Sequence, residues 1–147
     1  MPTQGNVGAM EQIGLPVVLM HMQGDPETMQ RDPRYDDVLL DVYDHLAARI
    51  ALCERAGIPR DRLVVDPGIG FGKTLAHNLR LLANLALFHG LGCPLLLGTS
   101  RKGFIGRLSD GAPPDRRLGG SVATVLAGLL QGVQIFRFHD VAETRQA

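Results

Sequence analysis

Short apolar runs alternate with longer segments of helical period along this chain. The runs are Val17-Val18-Leu19-Met20, Leu63-Val64-Val65, Leu95-Leu96-Leu97 and Gln134-Ile135-Phe136-Arg137-Phe138. Each begins after a Gly, a Pro or a helix end and finishes on polar or Gly-rich residues, which is how short buried strands read. Between them, Val38, Leu39, Val42, Leu46, Ile50 and Cys53 fall on one helical face, with Asp36, Asp37, Asp41 and Asp44 at the N-terminal end, where the helix dipole favours acids. Gly57 stops this helix. A second helix is predicted from about Leu75 through Leu79, Leu82 and Ala86 to Phe88, closed by Gly90 and Gly92. A third carries Leu118, Val122, Val125, Leu126 and Leu129 and ends before Gly132.

Strands that alternate with helices of this length make βα units and a parallel sheet, so the fold class is α/β. Strand starts near residues 17, 63, 95 and 134 are spaced about 30 to 45 residues apart, close to the repeat of a (β/α)8 barrel of about 250 residues. Four units are present, so the chain reads as half a barrel. Residues 1–14 would be the tail of a preceding helix and residues 141–147 the start of a last one. A three-layer α/β sandwich gives the same alternation. The polar residues favour the barrel, because each of four consecutive runs delivers them at its C-terminal end: His21-Met22-Gln23-Gly24, Asp66-Pro67-Gly68, Gly98-Thr99-Ser100-Arg101-Lys102 and Arg137-Phe138-His139-Asp140.

Length and composition agree with one ordinary domain: 147 residues, 45% apolar, with 15 acidic residues against 15 Lys and Arg. That balance, with the basic residues scattered, argues against a nucleic-acid footprint. The longest apolar stretch, Val122 to Leu130, is far short of the roughly 20 residues of a membrane span. The start of the chain has neither the basic nor the apolar region of a secretory signal. Cys53 and Cys93 stand apart without a CxxC or a zinc-site His pair, and are expected as structural thiols in a reducing cytoplasm.

Asp66-Pro67-Gly68-Ile69-Gly70-Phe71-Gly72-Lys73-Thr74 imitates two phosphate loops and satisfies neither. The first Gly of a Walker loop would fall on Pro67, and the third Gly of a dinucleotide fingerprint on Lys73. What remains is a carboxylate at a strand end, followed by a loop whose glycines let backbone approach a ligand. Alternatively, Asp66 is a helix cap or a salt-bridge partner. Ser100, Arg101 and Lys102 would offer an anion a hydroxyl, a charge and backbone N–H groups, or form a solvated basic turn. Arg137 and His139 alternate along the last strand, with Phe136 and Phe138 on its other face. They would make an oxyanion or pyrophosphate clamp, or a structural pair. His21 reads as a core histidine, and His45, His77 and His89 carry no assigned chemistry. No metal-ligand cluster or nucleophile elbow is seen.

Taken in order, Met20-His21-Met22-Gln23-Gly24, Asp66 to Lys73, Ser100-Arg101-Lys102 and Arg137-Phe138-His139-Asp140 resemble the dihydropteroate synthases, a pterin-binding enzyme family. Asp32 to Val38 and Leu118-Gly119-Gly120-Ser121 extend the resemblance. It implies strands 5 to 8 of a TIM barrel, residues 1–147 forming a partial domain with the N-terminal half absent. It also implies a transferase of folate biosynthesis that joins 6-hydroxymethyl-7,8-dihydropterin pyrophosphate to p-aminobenzoate, and hence a sulfonamide target.

By that resemblance Asp66 bonds the polar edge of the pterin, and Lys102 touches the pterin beside the aminobenzoate. Met20 and Phe71 pack near the ring, Gly98 allows close approach, and Ser100 receives the aminobenzoate carboxylate. Arg137 and His139 hold the leaving pyrophosphate, and Lys102, Arg137 and His139 are the catalytic set. Magnesium is implied as cofactor, its protein ligand lying ahead of residue 1, with none assigned here. A half-barrel with two open strand edges is expected to self-associate or to pair with a separate N-terminal half. The alternatives are a pterin-binding methyltransferase domain and a non-catalytic half-barrel.

Overall fold

The computed structural model describes residues 13–25 and 27–147. The helix tail expected over residues 1–14 therefore lies, apart from its last two residues, outside the described residues.

Four parallel strands follow one another in chain order. Strand β1 (Val17–Met20) pairs with β2 (Leu63–Asp66), from Val17 against Leu63 to Met20 against Asp66. A bridge from Val65 to Leu95 joins β2 to β3 (Leu96–Leu97), and β3 pairs with β4 (Ile135–Phe136). Among the described residues strand order does not reverse, which is the arrangement of a partial barrel rather than of a doubly wound sheet at its switch point. The sheet is not closed among the described residues. β2 is buried along its whole length, as a strand with neighbours on both sides should be, whereas Val18 on β1 and Ile135 on β4 are exposed.

Helix α1 (Val38–Arg55) joins β1 to β2, and its predicted stripe is the buried one: Val38, Val42, Leu46, Ile50 and Cys53. Asp37 caps it, accepting from the N–H of Leu39 at 2.9 Å, and holds Arg80 at 2.6 Å through its other oxygen. Asp37→Ala is expected to cost about 1 kcal/mol of stability, measured as a lower urea midpoint. An unchanged midpoint would show that the cap contributes nothing.

The second helix is shorter than its apolar pattern suggests. Helix α2 (Leu75–Leu82) opens on a reciprocal cap between Thr74 and His77 and stops where Asn84 leaves helical geometry, its side chain bonding the Arg80 carbonyl. A 3-10 stretch, Leu85–Leu91, continues. Three residues per turn stacks Leu85, Phe88 and Leu91 in one row, and all three are buried.

After the short helix α3 (Gly103–Leu108), helix α4 (Leu118–Leu130) buries only part of its apolar set. Ser121, Val125 and Gly128 are buried, while Leu126 is 41% and Leu129 53% exposed. Close approach decides this. A Cβ on Gly128 would come within 2.9 Å of both Leu97 and Phe136, and one on Gly120 would overlap Ile105, so these two positions admit no side chain. β4 is also shorter than the run Gln134 to Phe138, although the Arg137 N–H still reaches Leu97 O at 3.0 Å. Helix α5 (Val141–Gln146) follows.

Candidate active site

Met20, Asp66, Gly98 and Arg137 lie at or just beyond the C-terminal ends of the four strands. The ladder sets Met20 directly opposite Asp66, and the next residue, His21, donates its N–H to Asp66 O at 3.0 Å. Asp66 is 4% exposed; burial pushes its pKa up, against the pull of the Gly68 N–H and then of Lys102, Arg137 and Lys73. Gly68 N donates to Oδ1 at 2.8 Å. Asp66 makes no salt bridge and caps no helix among the described residues. It organises the turn that follows it.

That turn is built from positive-φ glycines at 68, 70 and 72, with φ of 70°, 84° and 64°. Such a path leaves backbone carbonyls without a ladder, and side chains from elsewhere take each one. Lys73 Nζ donates to Gly68 O and Phe71 O, both at 2.9 Å. Lys102 Nζ takes Ile69 O, Gln30 takes Gly70 O, and Tyr35 Oη reaches Gly72 O at 2.6 Å. Asn78 accepts from Gly70 N at 2.8 Å. The loop is thus held from several elements at once, as a rigid ligand platform requires.

Lys102 also sits 4.4 Å from the centre of the Phe71 ring, a cation–π contact. Burial brings its pKa down to about 8, with Asp66 opposing and Arg137 adding to the fall. The Arg137 guanidinium lies across Gly98, where a Cβ would stand 3.0 Å from its Nη2. Ser100 Oγ accepts from the His139 N–H at 3.1 Å and lies 2.9 Å from His139 Nδ1. With the hydroxyl donating to Nδ1, the neutral ring carries its proton on Nε2. Arg101, at φ 59°, forks onto Asp140, so within the basic triplet Arg101 braces the loop while Lys102 reaches back toward Asp66.

Behind the loop, His21 is the core histidine expected: 5% exposed, its Nδ1 2.9 Å from Lys73 Nζ, its ring edge-on to His45 at 4.8 Å. Burial, then the charge of Lys73, then His45 lower its pKa to about 3. The folded state therefore stays unprotonated where the unfolded state, near 6.5, takes a proton. Between those values the unfolded chain binds more protons, so stability falls on acidification. The expected contribution is a loss of about 2 kcal/mol from pH 7 to pH 5, read from urea midpoints, with a flatter profile in His21→Gln. Identical profiles in the two proteins would rule it out. A separate open hollow of about 530 Å³, lined by Pro33, Arg34, Tyr35, Asp36, Asp41 and His77, includes none of the expected site residues.

The sequence model of the family described as pterin binding enzyme matches residues 6–139. The chain belongs to this family. Among pterin binding enzymes it is similar to the dihydropteroate synthase of Escherichia coli (strain K12), 51% identical over 143 residues that make up 97% of this chain and 50% of that protein. A crystal structure of dihydropteroate synthase from Stenotrophomonas maltophilia, with imidazole bound in its active site, superposes with TM-score 0.95 at 46% identity, over 99% of this chain and 55% of that one. The Yersinia pestis enzyme in a sulfonamide drug complex does so with TM-score 0.94 at 48% identity, over 97% and 52%. The chain spans about half the length of the curated relatives it matches.

In this chain the sequence-derived residues form two groups. Asp66, Phe71 and Lys102 meet around the Gly loop, with Arg137 on Gly98 beside them, and Ser100 with His139 forms an adjoining pair. Met20 stands opposite Asp66. Sequence reasoning missed Lys73, Tyr35, Gln30 and Asn78. A run of positive-φ glycines needs external donors for its carbonyls, and that requirement pointed at the Lys ending the run; the other three come from distant segments.

Proposed function

We propose that the chain supplies one side of a dihydropteroate synthase active site, corresponding to strands 5 to 8 of the family's barrel. In this reaction the pterin pyrophosphate loses pyrophosphate, a cation delocalised over the pterin ring forms, and the p-aminobenzoate amine attacks it and sheds a proton. Charge placement carries such catalysis. The observation that supports the reading best is the electrostatic reach of Lys102 and Arg137 to buried Asp66 across three neighbouring strand ends.

Asp66 then accepts from the N–H edge of the pterin and offsets the ring's developing charge. Lys102 borders both substrates, with Met20 and Phe71 against the ring and Gly98 leaving room beneath Arg137. Arg137 and His139 receive the departing pyrophosphate, and Ser100, bonded to His139, meets the aminobenzoate carboxylate, the side at which sulfonamides would compete. Magnesium belongs to the family's reaction. Among the described residues no group of three or more His, Cys, Asp or Glu side chains is placed to hold a metal ion, and none of them is assigned to it.

No helix among the described residues is long and apolar enough to cross a membrane. The buried free thiols Cys53 and Cys93 support a cytoplasmic setting. Exposed Val18, Leu126, Leu129 and Leu130 support association with a second copy or with a polypeptide carrying the other strands.

The test is binding of the pterin pyrophosphate to the purified chain, and dihydropteroate formation from it, p-aminobenzoate and magnesium in whatever assembly turns over. Lys102→Ala is expected to lower both by about tenfold or more, the worth of one charged contact. Undiminished binding and turnover in that variant would remove Lys102 from the site.

A further inference from the structure

Lys73 has no part in the scheme above, yet it is buried as deeply as Asp66. Lys73 is 3% exposed, and its ammonium has three polar neighbours at 2.9 Å: Gly68 O, Phe71 O and His21 Nδ1. An ammonium has three donors and no acceptor, so the set is complete. The two carbonyls stand at either end of the Gly68–Phe71 turn, whose first N–H holds the Asp66 carboxyl and whose last side chain lies under Lys102. His21 belongs to the neighbouring strand end. One charged group therefore ties β1 to the loop of β2 directly behind the candidate pterin face.

We propose that Lys73 is a positioning residue for the pterin side of the site: its ammonium clamps the Gly68–Phe71 turn and His21 from behind, setting the spacing between Asp66 and Phe71. This rests on the reading of that face as a pterin site. Burying an ammonium is costly and an apolar side chain of similar length would fill the same space, so packing alone does not account for a lysine here. While Lys73 holds its ammonium, below about pH 7, the clamp also sets the His21 tautomer, because Nδ1 facing a donor must be the unprotonated nitrogen. The titratable and charged groups around Lys73 are Asp66 and Lys102 on the loop side and His21, His45 and His77 behind, and burial outweighs Asp66 in bringing Lys73 down to about 7.

The experiment combines 15N NMR of the histidines in the full chain with a titration of the pterin pyrophosphate into wild type, Lys73→Met and Lys73→Arg. In the wild type below about pH 7, His21 is expected to show an unprotonated Nδ1 and a protonated Nε2. In Lys73→Met that signature is expected to change and pterin affinity to fall about tenfold or more, with Lys73→Arg recovering part of it. A wild-type His21 carrying its proton on Nδ1 under those conditions overturns the clamp, and needs no variant to fold. A folded Lys73→Met that binds the pterin within about twofold of wild type overturns the positioning role. Absence of pterin binding by the wild type instead overturns the functional reading on which it rests.

Discussion

Gly68→Ala is expected to remove most of the stability of this chain. Gly68 has φ of +70°, where an L side chain is strained by about 1 to 2 kcal/mol. An added Cβ would also be driven into the His21 carbonyl oxygen, which is backbone rather than a flexible side-chain end. The His21 N–H is itself pinned to Asp66 O, so β1 cannot retreat without opening the ladder at the site. Overpacking of that kind adds about 1 to 3 kcal/mol. Together these approach the lower end of the roughly 5 to 15 kcal/mol that holds a domain folded. Urea unfolding measures it, with Gly103→Ala as control: Gly103 has open space around a Cβ and no positive φ. A Gly68→Ala midpoint indistinguishable from the control would refute the argument.

Asp66→Asn should leave the fold intact and cost the site its ligand. Asparagine keeps an oxygen for the Gly68 N–H, so the turn retains its internal bond. The other carboxylate oxygen becomes an NH2 group, and a pterin edge that donates hydrogen bonds would meet a donor. Lost charge-assisted bonds plus buried donors left unpaired amount to about 3 kcal/mol, or on the order of 100-fold in affinity. The wild type should show a related pH effect. Because burial raises the Asp66 pKa, its acceptor is lost on acidification sooner than from an ordinary carboxylate, and pterin affinity should fall with it. Tight pterin binding by a folded Asp66→Asn chain would exclude Asp66 as the pterin contact.

Much of this was legible in the chain itself. Val17–Met20 and the α1 stripe from Val38 to Cys53 are patterns whose period matches their structure, and the polar residues closing each run stand at one edge because consecutive strands are parallel. Asp66, Ser100, Lys102, Arg137 and His139 stand out in the sequence as candidates because charge and hydroxyl follow directly on short apolar runs.

Other features depended on distance between segments. Periodicity puts Leu126 and Leu129 in the apolar set of α4, but Gly120 and Gly128 bring that helix so near Ile105, Leu97 and Phe136 that bulk must face out. The second helix changes winding at Asn84, and Leu85, Phe88 and Leu91 then stack in one buried row. Lys73 read as a misplaced motif residue, since its three polar neighbours lie on two different strand ends that only the fold joins. Local spacing and residue chemistry sufficed for the strands, the first helix and the edge where ligand chemistry gathers. Which face packs, which carbonyl needs a donor and which cation serves structure are set by contacts between residues far apart in the chain, and those exist only once it has folded.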